Sequence, residues 1–242
     1  MIKYLKNTSK SIIGTIYYNC YKRYQAIANR ALIYHAFGSK LKHDTYGISI
    51  DIKKFKEHIV FLHQNYSFTD IATKSSTQPS ISITIDDGYK DSLDGIEVLV
   101  DKGIFFTIYI TSGLIDTKNY MSSQDVYDIS RLDNCSIGSH GLTHLKLSDI
   151  NSDLQEYELS ESKKILEKII GKPVITLSYP HGSFNNNTIS IAKKLGYQTA
   201  SSSIKGFNDK ATDPFQLRRS EIIASDGLNE LMKKIKGYYD FY

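Results

Sequence analysis

The sequence predicts an α/β fold built on a parallel sheet, and three observations carry that reading. Short β-branched and aromatic runs alternate with stretches of helical periodicity along most of the 242 residues. Successive strand-then-helix units need right-handed crossovers, which leave their strands parallel. Chemistry-bearing residues recur where the strands end, the edge at which α/β sheets place their active sites. Periodicity alone leaves open whether the sheet is open or closed into a barrel. At 40% apolar and 23% charged residues the chain supports one sizeable core, and one main domain is expected.

At the N-terminus, Lys3, Lys6 and Lys10 precede Ile12-Ile13-Gly14-Thr15-Ile16-Tyr17-Tyr18, outwardly a basic region followed by an apolar one. The run is short, mixed with polar residues and followed by no small-x-small cleavage site, so no signal peptide is expected. Residues 1–29 are read as a helical extension, either packed on the outside of the main domain or lying on a membrane surface as a basic amphipathic helix. The main domain is then 30–242. No apolar run approaches the roughly 18 residues that a membrane span requires.

Ala31 to Tyr34 reads as a short buried strand delivering His35 at its end. Phe55, Ile59 and Leu62 have helical spacing within 52–64, and Ile81 to Ile85 reads as a strand. Leu93, Ile96 and Leu99 mark a helix closed by Gly103, followed by a strand from Ile104 to Ile110 and a short helix near 122–130. Ser136 to Ser139 is a brief strand. Ser148 is expected to open a longer helix with Leu154, Ile165, Leu166 and Ile169 on its apolar face and Gly171 at its end. Val174 to Ser178, Tyr197 to Ala200 and Leu217 to Ile223 read as strands, with helices at Thr188 to Leu195 and Leu228 to Ile235.

The most informative stretch is Ser82-Ile83-Thr84-Ile85-Asp86-Asp87-Gly88-Tyr89, a β-type run ending in two adjacent carboxylates. Like charges beside β-branched residues are expensive unless compensated, and a bound cation is the usual compensation. Ser139-His140-Gly141-Leu142-Thr143-His144 adds two imidazoles four residues apart. Each cluster alone has an ordinary reading, a solvated Asp-Asp-Gly turn and a pair of surface histidines. Together, at strand ends, they offer an Asp plus His-x3-His ligand set with one carboxylate left over. Other partners are disfavoured: the net charge of +4 is scattered, no aromatic-studded basic stripe suggests nucleic acid, and Cys20 and Cys135 form no CxxC pair and read as ordinary thiols.

These motifs resemble those of the polysaccharide deacetylases of the NodB-homology group, carbohydrate esterase family 4. Thr84-Ile85-Asp86-Asp87-Gly88 is similar to that family's Thr-Phe-Asp-Asp-Gly motif, and Ser139-His140 with His144 to its second motif. Tyr179-Pro180-His181-Gly182 resembles the Tyr-Pro-x-Gly form of the third motif found in exopolysaccharide deacetylases, and Ile33-Tyr34-His35 the Tyr-His segment that opens those enzymes. The resemblance covers roughly residues 30–225 and implies a distorted (β/α) barrel with one divalent metal, Zn2+ first and Co2+, Ni2+ or Mn2+ as alternatives. It implies Asp87, His140 and His144 as metal ligands, Asp86 as general base, His35 as general acid, and Tyr179 with the main-chain N–H of His181 at the substrate oxyanion. Two departures stand out. Ser178 occupies the place where many members carry an arginine that holds the base, a role for which Arg219, or Arg218, is the substitute. No histidine follows His181, so the usual late acid is replaced by His35.

The expected activity is metal-dependent removal of N-acetyl groups from an amino sugar in a glycan or glycolipid precursor of surface polysaccharide. The expected location is cytoplasmic with a peripheral membrane contact through residues 1–29. Alternatives on the same site are an O-acetyl esterase, a cyclic imide hydrolase, or a catalytically silent carbohydrate-binding module that keeps the metal.

Overall fold

A computed structural model describes residues 13–18, 28–41, 44–73 and 79–241. Most of the 1–29 extension, with Cys20, and His43 lie outside the described residues. Residues 13–18 form a helical turn, α1, whose Tyr18 ring stacks on Tyr238 at 4.5 Å and whose Tyr17 meets Phe241 at 5.9 Å.

Eight parallel strands follow: β1 (Asn29–Tyr34), β2 (Ser67–Phe68), β3 (Ser80–Ile85), β4 (Phe106–Ile110), β5 (Cys135–Ser139), β6 (Thr176–Ser178), β7 (Thr199–Ser201) and β8 (Arg219–Glu221). Their order is β7-β6-β5-β4-β3-β1-β8, with β2 paired to β3. A parallel bridge from Ser201 to Leu217, just before β8, brings the two ends together, so the sheet is a nearly closed, distorted barrel. Helices α2 (Ile52–Asn65), α3 (Ser92–Asp101), α4 (Ser123–Ile129), α5 (Ser152–Ile170), α6 (Asn186–Lys194) and α7 (Leu228–Ile235) flank it. Among the described residues, no helix is long and apolar enough to cross a membrane.

The strand β3 shows how the sequence builds two different layers. Ile81, Ile83 and Ile85 join the main apolar core with Phe55, Ile59 and Leu62 of α2, while Ser82 and Thr84 alternate with them on the opposite face. Burying each isoleucine stabilises by about 1.5–3 kcal/mol. The other face turns into a barrel interior lined by small polar groups: the Tyr109 hydroxyl bonds to Thr176 Oγ1 (3.2 Å) and Ser201 Oγ (2.9 Å). That polar interior leaves room for a guanidinium, as the site below requires.

Several element boundaries differ from the sequence expectation. The strands expected at 104–110, 174–178 and 217–223 are shorter, as β4, β6 and β8, and residues flanking them make single bonds, Ile104 N to Leu99 O of α3, Leu217 N to Ala200 O of β7 and Ile222 N to Ile33 O of β1. The long helix starts at Ser152, not Ser148: Asn151 caps it by accepting from Leu154 N at 2.9 Å, and Ser148 belongs to a 3-10 turn. Its buried face is the expected one only in part: Leu166 is in the core and Ile169 packs against it. Leu154 is exposed and the stripe runs through Gln155, Glu158, Leu159, Ser162, Leu166 and Ile170, because polar members of that face hold neighbouring loops.

Gly138 of β5 lies opposite Tyr109, and a Cβ there would stand 2.6 Å from the ring Cε1 and 2.9 Å from Thr176 Cγ2. Gly138→Val is expected to lower stability by about 1–3 kcal/mol through overpacking, read as a lower urea midpoint with an unchanged denaturant slope.

Candidate active site

The chain reverses at the end of β3. Asp86 N closes the ladder by donating to Tyr34 O at 2.9 Å, and the next two residues are left-handed, Asp87 at φ 76° and Gly88 at φ 83°. Aspartate tolerates that region better than bulky residues do, and glycine takes it without penalty. Two left-handed residues in succession bring the side chains of Asp86 and Asp87, which an extended strand would send to opposite faces, to one cavity.

Asp86 is 3% exposed and held on both oxygens. Arg219 Nη1 donates to Oδ1 at 2.7 Å and Nη2 to Oδ2 at 2.8 Å, while Ser178 Oγ donates to Oδ2 at 3.1 Å. Arg219, itself 1% exposed, also donates to Thr84 Oγ1 (3.0 Å), Ser178 Oγ (2.7 Å) and Ser202 O (3.0 Å), so its whole fork is engaged. Arg218 is exposed and does not reach Asp86. Burial pushes the Asp86 carboxyl up, but Arg219 and His140 outweigh it and hold it below the ordinary carboxylate value.

Asp87, His140 and His144 form a second cluster whose donor atoms all lie within 4.8 Å of one another. His140 follows β5; its Nδ1 donates to Ser178 O at 2.8 Å, because a carbonyl can only accept. In the neutral ring this leaves the Nε2 lone pair facing Asp87 Oδ1 at 3.3 Å, and His144 Nε2 faces the same oxygen at 3.2 Å. Asp87 Oδ1 is buried with no hydrogen-bond partner. Converging lone pairs need a cation between them, and both separations match the edge, about 3.3 Å, of a tetrahedron with bonds of about 2.0–2.1 Å. The residues therefore fit a divalent metal. In its absence the charges compensate one another: burial opposes ionisation of Asp87, yet His140 and His144 hold it well below the usual range, and Asp86 and Asp87 raise His140 against its burial.

The loop carrying the histidines is pinned from outside. Glu158 of α5, 2% exposed, accepts from Leu142 N (3.0 Å), Thr143 N (2.9 Å) and Thr143 Oγ1 (2.5 Å), while Gly141 and His144 take left-handed angles of 73° and 65°. His35 emerges from β1 beside the carboxylates, its Nε2 4.0 Å from Glu221 Oε1 of β8 and its Nδ1 buried without a partner. His181 is left-handed (φ 58°), and among the described residues its main-chain N–H donates to no carbonyl. Its ring lies 4.4 Å from that of His144, and burial followed by that neighbour lowers its pKa. The Tyr179 side chain turns away into the core: its hydroxyl donates to Phe215 O at 3.0 Å and its ring stacks on Phe184. Asp86, Asp87, His35, His140, His144, Tyr179, His181 and Glu221 border one cavity of about 660 Å³.

Comparison with known proteins agrees with this geometry. The family model described as polysaccharide deacetylase matches residues 73–200, more than half of the chain. The chain belongs to the polysaccharide deacetylase family. It is similar to YxkH of Bacillus subtilis (strain 168), 27% identical over 203 residues that make up 79% of this chain and 70% of that one. It is also similar to the chitooligosaccharide deacetylase of Azorhizobium caulinodans, 27% identical over 133 residues, 54% of this chain and 61% of the relative. Among solved structures, BA0330 from Bacillus anthracis superposes with a TM-score of 0.77 at 25% identity, over 87% of this chain and 69% of that one.

The deacetylase family match ends before Arg219 and begins after His35, so the fold alone brings these two residues to the matched motifs. Ser178 is more than the absence of an arginine. Its small side chain admits the Arg219 guanidinium from across the barrel and bonds to it, while its carbonyl orients His140. Sequence reasoning missed Glu158 and the second function of Ser178; neither stands in a motif. The one available signal for Glu158 is its place, with Gln155 and Ser162, on the same helical face as Leu166.

Arg219→Met is expected to leave Asp86 buried and uncompensated, costing about 3–5 kcal/mol of stability, measured by urea unfolding of the metal-free protein. The acid sensitivity of that protein follows from the same depressed carboxyls. Because the folded pKa values of Asp86 and Asp87 lie below their unfolded values near 3.9, the stabilisation is complete above about pH 4 and is lost as pH falls further. Wild type should therefore lose stability more steeply below pH 4 than Asp86→Asn.

Proposed function

We propose that this chain is a metal-dependent hydrolase that removes N-acetyl groups from an amino sugar of a glycan or glycolipid precursor of surface polysaccharide. The observation that carries this reading is the Asp86 carboxylate, locked by Arg219 and kept ionised beside a three-donor cluster of which it is not part. A site that only bound metal or sugar would gain nothing from burying that second charge.

Asp87, His140 and His144 would hold the ion, Zn2+ first and Co2+, Ni2+ or Mn2+ as alternatives. When bound, it polarises the acetyl carbonyl and lowers the pKa of water toward about 7. The chain's own groups then divide the proton transfers. Asp86 takes the proton of the attacking water: of its roughly four lone-pair directions, three are filled by Arg219 and Ser178, leaving one. The main-chain N–H of His181 would donate to the oxygen that becomes negative in the tetrahedral intermediate, the point where a fixed donor contributes most. His35 delivers a proton to the amine nitrogen as the C–N bond breaks, so amide and water become acetate and free amine. The exposed Tyr46 at the cavity mouth offers an apolar face suited to a sugar ring.

The test is acetate release from N-acetylated and O-acetylated glycans by metal-loaded protein, chelated protein and two variants. Asp86→Asn is expected to keep its metal and lose activity by about 10²–10⁴-fold, whereas His144→Ala should lose both metal and activity. Acetate release that survives chelation or Asp86→Asn would overturn the reading.

A further inference from the structure

His35 gives up the leaving-group proton in the proposed reaction, yet no hydrogen bond grips its ring. Among the described residues neither ring nitrogen has a partner: Nδ1 is buried without one, and Nε2 stands 4.0 Å from Glu221 Oε1, beyond hydrogen-bond reach. His140 differs, since Ser178 O fixes its Nδ1. The direction of the His35 ring therefore depends on the backbone that carries it, just past the end of β1.

That backbone is held by the first turn of α3. Ser92, fully buried, donates from Oγ to His35 O at 2.9 Å, and Asp91 Oδ2 accepts from Phe37 N at 2.8 Å and from Ser39 N at 2.9 Å. One turn further on, Gly95 lets the Phe37 ring lie against the helix, where a Cβ would stand 2.6 Å from ring Cζ. The helix itself gains nothing from these choices. Asp91 stands at the N-cap position, where an aspartate ordinarily accepts from an N–H of its own first turn, but it makes no such bond. Its carboxylate reaches instead to amides 52 and 54 residues earlier. Gly95, in the helix interior, weakens α3 relative to alanine. The same stretch of chain carries Asp86 and Asp87, and Ser92 N bonds back to Tyr89 O at 3.1 Å, so residues 86–92 form one tied run.

We propose that Asp91, with Ser92, is a positioning residue for His35. By clasping residues 35–39 it fixes the group that gives a proton to the amine relative to Asp86, which takes one from water. Neither Asp91 nor Ser92 borders the cavity, and neither touches a reacting atom. The inference rests on the proposed hydrolase reading, with His35 as its acid.

The test compares two acetyl compounds that differ in what must leave. An amine departs from the tetrahedral intermediate only with a proton, whereas the 4-nitrophenolate of 4-nitrophenyl acetate departs as an anion; both reactions need the water that Asp86 activates. Asp91→Ala is expected to lower kcat for an N-acetylglucosamine oligosaccharide by about 10²-fold with little change in KM, and to change the ester rate far less. Its Zn2+ affinity, read by competition with a chromophoric chelator, should stay close to wild type. Asp91→Asn keeps an oxygen able to accept both N–H groups and should recover most of the loss. Ser92→Ala should show the same selectivity at smaller size, and it decides the matter if Asp91→Ala does not fold. Equal losses on the two substrates, or no loss on the oligosaccharide, would overturn the role of Asp91 and leave the hydrolase reading standing. Wild type that leaves the oligosaccharide intact would overturn that reading, and the role of Asp91 with it.

Discussion

Two aspartates side by side at the floor of a cavity, 3% and 6% exposed, set the terms for the structure around them. Each buried charge costs several kcal/mol even after relaxation, and like charges this close add repulsion. The surroundings answer the two charges separately. Arg219 crosses the barrel to grip Asp86 on both oxygens, and the two imidazoles converge on a single oxygen of Asp87. That division makes one carboxylate a fixed anion and the other a ligand.

The division depends on the barrel's interior layer. Thr84, Ser178 and Ser202 are small and polar, so a full guanidinium fits among them with its donors satisfied. Larger apolar residues would fill the space and strand the charge. The apolar stabilisation lies in the outer layer, between sheet and helices, where the isoleucines of β3 meet α2. Three of the five left-handed non-glycine residues among the described residues, Asp87, His144 and His181, stand at the three turns that present the chemistry, while Asp116 and Asn119 lie in the loop after β4. Each turn is tied to something rigid, the first to Thr111 and Met121, the second to Glu158, the third through Gly182 N to Tyr179 O.

Much of this was legible in the sequence. The strand-helix alternation gave the parallel sheet, and the Asp-Asp-Gly, His-x3-His and Tyr-Pro-x-Gly segments marked three of the strand ends that meet at the cavity, because each combines reactive side chains with residues tolerant of tight turns. Closure into a barrel was visible only through family resemblance, since it rests on the bridge between Ser201 and Leu217 in segments with no distinctive pattern. The same holds for Arg219: nothing local distinguishes it from Arg218, and only the register of β8 against β1 turns one inward and leaves the other in solvent. Glu158 was hidden for the opposite reason. On a helix rich in charge a glutamate reads as solvent-facing, and its burial is explained by backbone N–H groups sixteen and fifteen residues upstream that no periodicity announces.

In the proposed site Asp87, His140 and His144 would hold a metal while Asp86 stays with Arg219. The most direct measurement is a crystal structure of the protein soaked in Co2+, with diffraction recorded on both sides of the cobalt absorption edge. One anomalous peak is expected in the cavity, within about 2.0–2.2 Å of one Asp87 oxygen and both Nε2 atoms, with the Asp86–Arg219 pair intact. A peak bonded to Asp86, or an Asp86 side chain released from Arg219 to reach the ion, would contradict it.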